Sequence, residues 1–312
     1  MNSFLKKSLL FSLPILLVAI SFELLLRRIP NDYQYKKDYL DKNSKSIQTL
    51  FLGSSHSYFG INPEFTQSKS FNASYMSQSY KYDLKILKKY DGKWDSLKCI
   101  AIPVSYFSLF WNLETGIESW RTKNYMIYYG FNCSANVKDY SEFLSNTFKV
   151  NFLKLYSFYW VKQNTINCTD LGFGLDYNSK YKKELIKSAS ERAKVHTAKD
   201  FEFFNQNKEY LTQIVQFAKA RNIKIVLYTP PAYSTYVEKL DKKQLDYTIQ
   251  TAEELQKNYK NVTYLNFMTD KRFQENDFYD VDHLNEIGAK KLTLLVDSCQ
   301  LPVDRNKLSK VN

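Results

Sequence analysis

A serine that attacks a carbonyl needs a base beside it, because a free hydroxyl is a poor nucleophile at neutral pH. Two short segments of this chain could supply such a pair. The first is Phe51-Leu-Gly-Ser-Ser-His-Ser57, where Ser55 follows a short apolar run and a glycine. The second is Asp280-Val-Asp-His283, followed by Leu-Asn-Glu-Ile-Gly-Ala289. An Asp three residues before a His can bend back to the imidazole Nδ1. That fixes the tautomer and leaves Nε2 to act as base. Each segment alone is weak, since Gly-Ser-Ser most often marks a turn and Asp-x-x-His is common. Their placement says more: Ser55 follows the first expected strand, and Asp280 and His283 precede the last expected helix. The three histidines are His56, His196 and His283, and none stands at metal-ligand spacing from another. Neither a metal nor a cofactor is therefore expected.

The elements that must position these residues alternate. Short apolar runs at 47–52, 70–73, 99–104, 223–228 and 262–265 read as buried strands. Segments 78–90, 201–220, 238–259 and 285–299 read as helices, with the apolar stripe clearest in 201–220. Strands separated by helices predict an α/β fold, a three-layer sandwich with a mainly parallel sheet. A serine just past a strand end then lies on the edge where open α/β sheets place their ligands. Residues 106–199 break the rhythm and read as an aromatic-rich insertion or cap. The α/β domain is expected over 46–302, with a linker at 27–45 before it and a polar tail at 303–312.

Composition sets outer limits. Of 312 residues, 44% are hydrophobic and 24% charged, ordinary values for a globular chain, so disorder throughout is excluded. Only one long apolar run exists, which excludes a polytopic membrane protein. It covers 8–26, nineteen residues with the single charge Glu23, between Lys6-Lys7 and Arg27-Arg28. A spanning helix needs about 20 apolar residues, whereas the core of a cleavable signal has about 7–15. The run is therefore expected to be an uncleaved signal anchor, with the bulk of the chain outside the cytoplasm. The flanking basic pairs balance and do not set orientation. Four cysteines are too few for a disulfide scaffold. Cys133 and Cys168 lie in polar surroundings that would allow a bridge, while Cys99 and Cys299 read as buried thiols. The formal charge of +12 suits an anionic glycan or anionic headgroups. Nucleic acid is not an expected partner, because no recognition motif is present.

On these residues the chain resembles the SGNH hydrolase superfamily, also called GDSL. Gly53-Ser54-Ser55 matches its first block with Ser in place of Asp, and Asp280 with His283 matches its last block. The resemblance implies Ser55 as nucleophile, His283 as base and Asp280 as its orienter. The N-terminal anchor and the Gly-Ser-Ser variant look most like a membrane-anchored branch that includes alginate-type O-acetyltransferases and the D-alanyl-lipoteichoic acid transfer protein. The resemblance covers the elements outside 106–199. It implies an oxyanion hole from the Ser55 N–H, an N–H of the second block and a side chain of the third. Here Asn72-Ala73-Ser74 replaces the usual glycine and Ile102-Pro103-Val104-Ser105 lacks the usual Asn. Ser74 and Ser105 are the expected stand-ins, and one missing donor costs on the order of 100–1,000-fold in turnover. His56 and Thr229 are candidate substrate contacts.

Three functions fit these readings. One is an extracytoplasmic O-acyltransferase that O-acetylates a surface polysaccharide, with its acyl donor delivered by a membrane-bound O-acyltransferase partner. The second is an esterase or deacetylase using the same residues. The third is a noncatalytic glycan-binding or assembly module with a relic triad.

Overall fold

The computed structural model describes residues 3–181 and 188–298. In chain order, α1 (Ser3–Arg27) and α2 (Asp32–Asn43) precede β1 (Thr49–Phe51), α3 (Ser55–Tyr58), β2 (Ser70–Asn72), α4 (Tyr80–Lys89) and β3 (Cys99–Pro103). Then come α5 (Thr122–Ile127), α6 (Phe148–Tyr159), α7 (Ala189–His196) and α8 (Phe204–Ala220). The chain continues through β4 (Lys224–Thr229), α9 (Ser234–Val237), α10 (Lys242–Asn258), β5 (Val262–Asn266) and α11 (Glu286–Ser298). Cys299 and the 303–312 tail lie outside the described residues.

The contacts divide the chain into two compact units. One holds Met1–Asp38 and Glu114–Asn167; the other holds Tyr39–Leu113 and Cys168–Asn312. The second carries the sheet. Its five strands are all parallel, in the order β2-β1-β3-β4-β5, with helices on both faces. Thr49 pairs with Ser70 on one side and Cys99 on the other, and Cys99 pairs with Lys224. Strands flanked on both sides can be apolar throughout, and Leu50, Phe51, Ile100, Ala101, Ile225 and Leu227 are fully buried. Phe51, Ala101, Val226, Leu292 and Val296 belong to one core cluster, so the closing helix α11 packs over the sheet centre.

The expected strands and helices all occur, with ends moved by a few residues; the helix expected over 238–259 is α10, and the short α9 precedes it. Two expectations about the rest are corrected. The segment 27–45, expected as a linker, forms α2: Asn31 Oδ1 accepts from Gln34 N at 3.0 Å, the Asn31 carbonyl accepts from Tyr35 N, and Leu40 is fully buried. A helix of this length gains its stability from packing rather than from propensity, so its polar composition does not announce it. The segment 106–199 is not one insertion. Residues 114–167 group with the N-terminal stretch, whereas 106–113 and 168–199 belong to the sheet unit. Cys133 and Cys168, for which a bridge was allowed, remain thiols; Cys168 is buried and lies on an isolated antiparallel bridge to Gly174. Cys99 is buried as expected. Helix α1 is long and apolar enough to cross a membrane, as an anchor or a signal sequence would be.

Where strand order reverses, two neighbouring connections leave in opposite directions and open a crevice at the C-terminal ends. Here that point falls between β1 and β3. Gly53 turns the chain immediately after β1 with φ +107°, and a Cβ there would lie 2.5 Å from Pro103 Cδ at the end of β3. The turn therefore needs glycine twice, for its dihedral and for the close approach. Behind it, the buried Asp83 of α4 accepts the Gly53 N–H at 2.9 Å. Gly53→Ala is expected to destabilise the protein by about 1–3 kcal/mol through strain at this turn. Urea unfolding of the detergent-solubilised chain measures it, and a wild-type midpoint would remove the constraint.

Candidate active site

Ser55 opens α3, directly beyond the Gly53 turn. Its Oγ lies 2.8 Å from His283 Nε2. His283 Nδ1 faces Asp280, 3.0 Å from Oδ1 and 3.2 Å from Oδ2. The three residues taken as nucleophile, base and orienter thus stand in one relay, with the geometry general-base catalysis requires. The loop that carries the acid and the base is tied locally. Phe278 and Leu284 form an isolated antiparallel bridge, Tyr279 N donates to the His283 carbonyl, and Asp280 Oδ1 accepts from the backbone N–H groups of Asp282 and His283. Asn285 then caps α11 by accepting from Ile287 N and Gly288 N.

Behind the relay sits a buried charge cluster that residue spacing alone does not announce. Asp282 is 2% exposed, and all three histidines of the chain converge on it. Its carboxylate lies 3.4 Å from His283 Nδ1, 3.4 Å from His56 Nε2 and 3.5 Å from His196 Nδ1. Arg192 closes the cluster, with Nη2 3.1 Å from Asp280 and Nε 3.2 Å from Asp282. Burial holds the imidazoles of His56 and His196 below their ordinary value, His196 at about 4, so both are neutral at pH 7. For His283 burial pulls the same way but is outweighed by Asp282 and Asp280, which raise it to about 10. Asp282 itself is held well below the carboxylate range, because the neighbouring imidazoles outweigh its burial. The balance is simple: Arg192 offsets one carboxylate and protonated His283 offsets the other.

His56, Asp282 and His283 bring ligand atoms within 4.8 Å of one another, a grouping that sequence spacing did not reveal. A cation there would face the Arg192 guanidinium, which already pairs with Asp282 and Asp280, so the donor set suits a metal poorly.

The other expected contacts are placed differently. The Ser55 N–H, first in α3, has no acceptor among the described residues, as an oxyanion donor requires. Ser74 does not serve beside it: its N–H donates to Asn72 Oδ1 at 3.1 Å, and its hydroxyl also donates to that oxygen. Asn72 Nδ2 donates in turn to the Ser57 and Ile61 carbonyls at 2.8 Å, so this pair fastens the end of β2 to α3. Ser105 is fully buried with Oγ 2.7 Å from His56 Nδ1, which makes it a partner of the cluster rather than a free donor. His56, expected to touch substrate, is buried with its ring centroid 4.9 Å from that of His283. Thr229 is likewise buried, bonded to the Val104 carbonyl and to Tyr264 Oη. Both corrections have one cause: polar groups at a strand end are enclosed by the connections above them and must then pair internally.

His196, which its charged surroundings suggested was solvated, is part of the cluster, with Nδ1 2.8 Å from Tyr236 Oη. Arg192 was missed as well. The available signal was their spacing: four residues apart on α7, they share a helix face. Tyr177 was also missed. The Gly174 N–H donates to the Tyr58 carbonyl at 2.8 Å, and a Cβ on Gly174 would lie 2.6 Å from the Tyr58 ring. That approach slots Tyr177 between Phe59 and Tyr279, at centroid distances of 3.8 and 4.1 Å, and its ring meets His283 edge-on at 5.1 Å between centroids.

The cluster sets a pH dependence. His283 accepts the Ser55 proton only in its neutral form, so the rate of fluorophosphonate labelling at Ser55 should rise with pH up to about 10. In Asp282→Asn one carboxylate is gone and Arg192 alone balances Asp280. The profile should then move to lower pH by more than about one unit. An unshifted profile in this variant would remove Asp282 from the electrostatics of the base. The raised His283 value also stabilises the fold, a contribution complete below the ordinary value of 6.5 and lost as pH rises through about 10.

No curated protein matches the chain. Among solved structures, a protein from Streptococcus pneumonia described as a candidate platelet activating factor aligns at 12% identity and TM-score 0.45, over 93% of this chain and 99% of the other. A GDSL-like lipase from Bacteroides thetaiotaomicron aligns at 12% identity and TM-score 0.41, over 86% and 98%. A candidate acylhydrolase from Bacteroides fragilis aligns at 12% identity and TM-score 0.38, over 90% and 96%. The family profile described as "Protein of unknown function (DUF1574)" matches residues 65–288, a span that begins after Ser55 and includes Asp280 and His283, and the chain belongs to that family.

Proposed function

We propose that the protein is a membrane-anchored serine acyltransferase that carries an acyl group, most simply acetyl, from a donor at the membrane to a hydroxyl of a surface polysaccharide. The reading rests on one observation: Ser55, His283 and Asp280 form a continuous relay at the C-terminal edge of a parallel sheet, at its point of strand reversal. Neutral His283 takes the Ser55 proton as Oγ attacks the acyl carbonyl. The carbonyl oxygen becomes negative in the tetrahedral intermediate, and the Ser55 N–H is the donor placed to meet it. The imidazolium, held by Asp280 and Asp282, returns its proton to the leaving group as the acyl-enzyme forms. An acceptor hydroxyl then gives its proton to His283 and takes the acyl group, restoring Ser55.

Helix α1 supports the anchored form of this reading, with the catalytic unit outside the cytoplasm and a membrane-bound O-acyltransferase as the source of acyl groups. The excess of basic residues, 44 against 32 acidic, suits an anionic glycan as acceptor. Water resolving the same acyl-enzyme would make the protein an esterase or deacetylase, and the two differ only in what occupies the acceptor position.

A fluorophosphonate probe should label the solubilised chain at Ser55. Ser55→Ala should abolish the label, and a label that persists would overturn the assignment. With an activated acetyl ester, acetate release should be slow, and an added oligosaccharide acceptor should speed turnover and become acetylated, because positioning gives a bound hydroxyl a large effective concentration. Fast hydrolysis with no acetylated sugar, across neutral and acidic glycans, would establish the esterase instead.

A further inference from the structure

The first unit contains an apolar surface that the catalytic reading does not use. Helix α6 has twelve residues, of which only Asn151 and Leu155 are buried. Phe148, Phe152, Leu153 and Tyr156 are exposed, and Trp160 and Val161 just beyond the helix are 73% and 59% exposed. Together with Val150, Leu155 and Phe158 these residues leave apolar side chains on nearly every side of the helix. A helix that is apolar nearly all round belongs in a protein core or in lipid.

Its place beside α1 decides between the two. Phe148 packs on Phe22 at 5.3 Å between ring centroids, and Tyr159 Oη donates to the Leu25 carbonyl at 3.2 Å. Both ends of α6 thus meet the same last turns of α1, as they would in a helix lying across its partner. The joint is built on Glu23, the one charge in the apolar run. Its carboxylate accepts from Ser141 Oγ at 2.7 Å, from Glu142 N at 3.2 Å and from Phe143 N at 2.8 Å, and it pairs with Arg27. Arg27 Nη2 donates in turn to the Tyr140 carbonyl. A carboxylate on an otherwise apolar helix is costly in lipid unless it is bonded, and segment 140–143 bonds it. The same segment leads into α6.

We infer that residues 140–161 form an interfacial collar around the end of α1, with α6 seated in the headgroup and upper acyl region of the membrane that α1 crosses. Three features favour lipid over a protein partner. The surface is continuous with α1, whose side chains from Phe4 to Leu25 are themselves largely exposed. Tyr156, Tyr159 and Trp160 gather at one end, and such residues are enriched where a membrane meets water. Lys149 and Lys162 are exposed among the apolar residues, where their stems can lie along lipid and their ammonium groups reach anionic headgroups. The collar fixes the first unit against the membrane by a second contact besides the spanning helix.

This inference rests on α1 as a membrane anchor, and one preparation tests the two separately. The full chain is reconstituted at low protein-to-lipid ratio into phosphatidylcholine–phosphatidylglycerol vesicles with brominated acyl chains, which quench nearby tryptophans. The chain should float with the vesicles. The brominated lipid should quench tryptophan emission, and Trp160→Phe should remove at least roughly half of the quenched component, whereas Trp120→Phe should leave it in place. Failure to float overturns the anchor and the collar together. Flotation with quenching unchanged by Trp160→Phe overturns the collar alone. If Trp160 is shielded from lipid and the chain cross-links to itself in these vesicles, a second copy covers the face and the inference is again overturned.

Discussion

Two buried aspartates, Asp280 and Asp282, set the terms for everything around Ser55. A carboxylate taken out of water must be paired or must bind a proton. With two of them within reach of one imidazole, and one guanidinium to share, the most economical arrangement keeps a proton on His283 and leaves His56 and His196 neutral. Arg192 must therefore come from α7, Tyr236 must cap His196, and Ser105 must turn inward to His56. Residues that would otherwise be free to meet a substrate are drafted into holding charge. In the proposed reaction this leaves the first N–H of α3 as the donor to the oxyanion.

The sheet makes this cluster attainable. Its strand order reverses between β1 and β3, and the turn at Gly53 brings the end of one against the end of the other with no room for a side chain. Ser55 is thus placed by a backbone contact rather than by a long loop. Asp83 accepts the Gly53 N–H from behind, and burial raises its carboxyl to about 7, with the Gln78 and Gly53 hydrogen bonds opposing. A carboxyl that favours the proton in the fold but not in the open chain makes the turn steadier at mildly acidic pH and weaker as pH rises through about 7. This runs in the same direction as the loss expected from His283 at higher pH.

The first unit follows a different physical rule. Phe148, Phe152, Leu153 and Trp160 are exposed in it, while an ion pair, Lys123 with Glu142 at 2.6 Å, is buried. That is the reverse of a water-soluble surface, and it is consistent with an element built around a helix that leaves water. The aromatic richness of the middle of the chain therefore has two sources: Phe148 to Trp160 belong to this unit, whereas Tyr106 and Tyr177 are packed in the sheet unit.

The sequence by itself determined the alternation of strands and helices, the apolar N-terminal helix, and the identity of Ser55, His283 and Asp280. These follow from local rules: apolar period, a glycine after a strand, and an Asp three residues from a His. Tertiary structure decided which polar groups near those residues are free. Ser74, Ser105, His56 and Thr229 looked available because their neighbours in sequence are unremarkable, yet each is bonded to a group 2 to 49 residues away, and for Thr229 as far as 125. His196 looked solvated because its stretch is charged, yet with Arg192 it completes a cluster whose centre lies nearly ninety residues further on. Hydrogen bonding and charge neutrality are conditions on a closed volume. Spacing along a chain reports which groups are present, and only the packing of the sheet with its connections reports which of them must answer to one another.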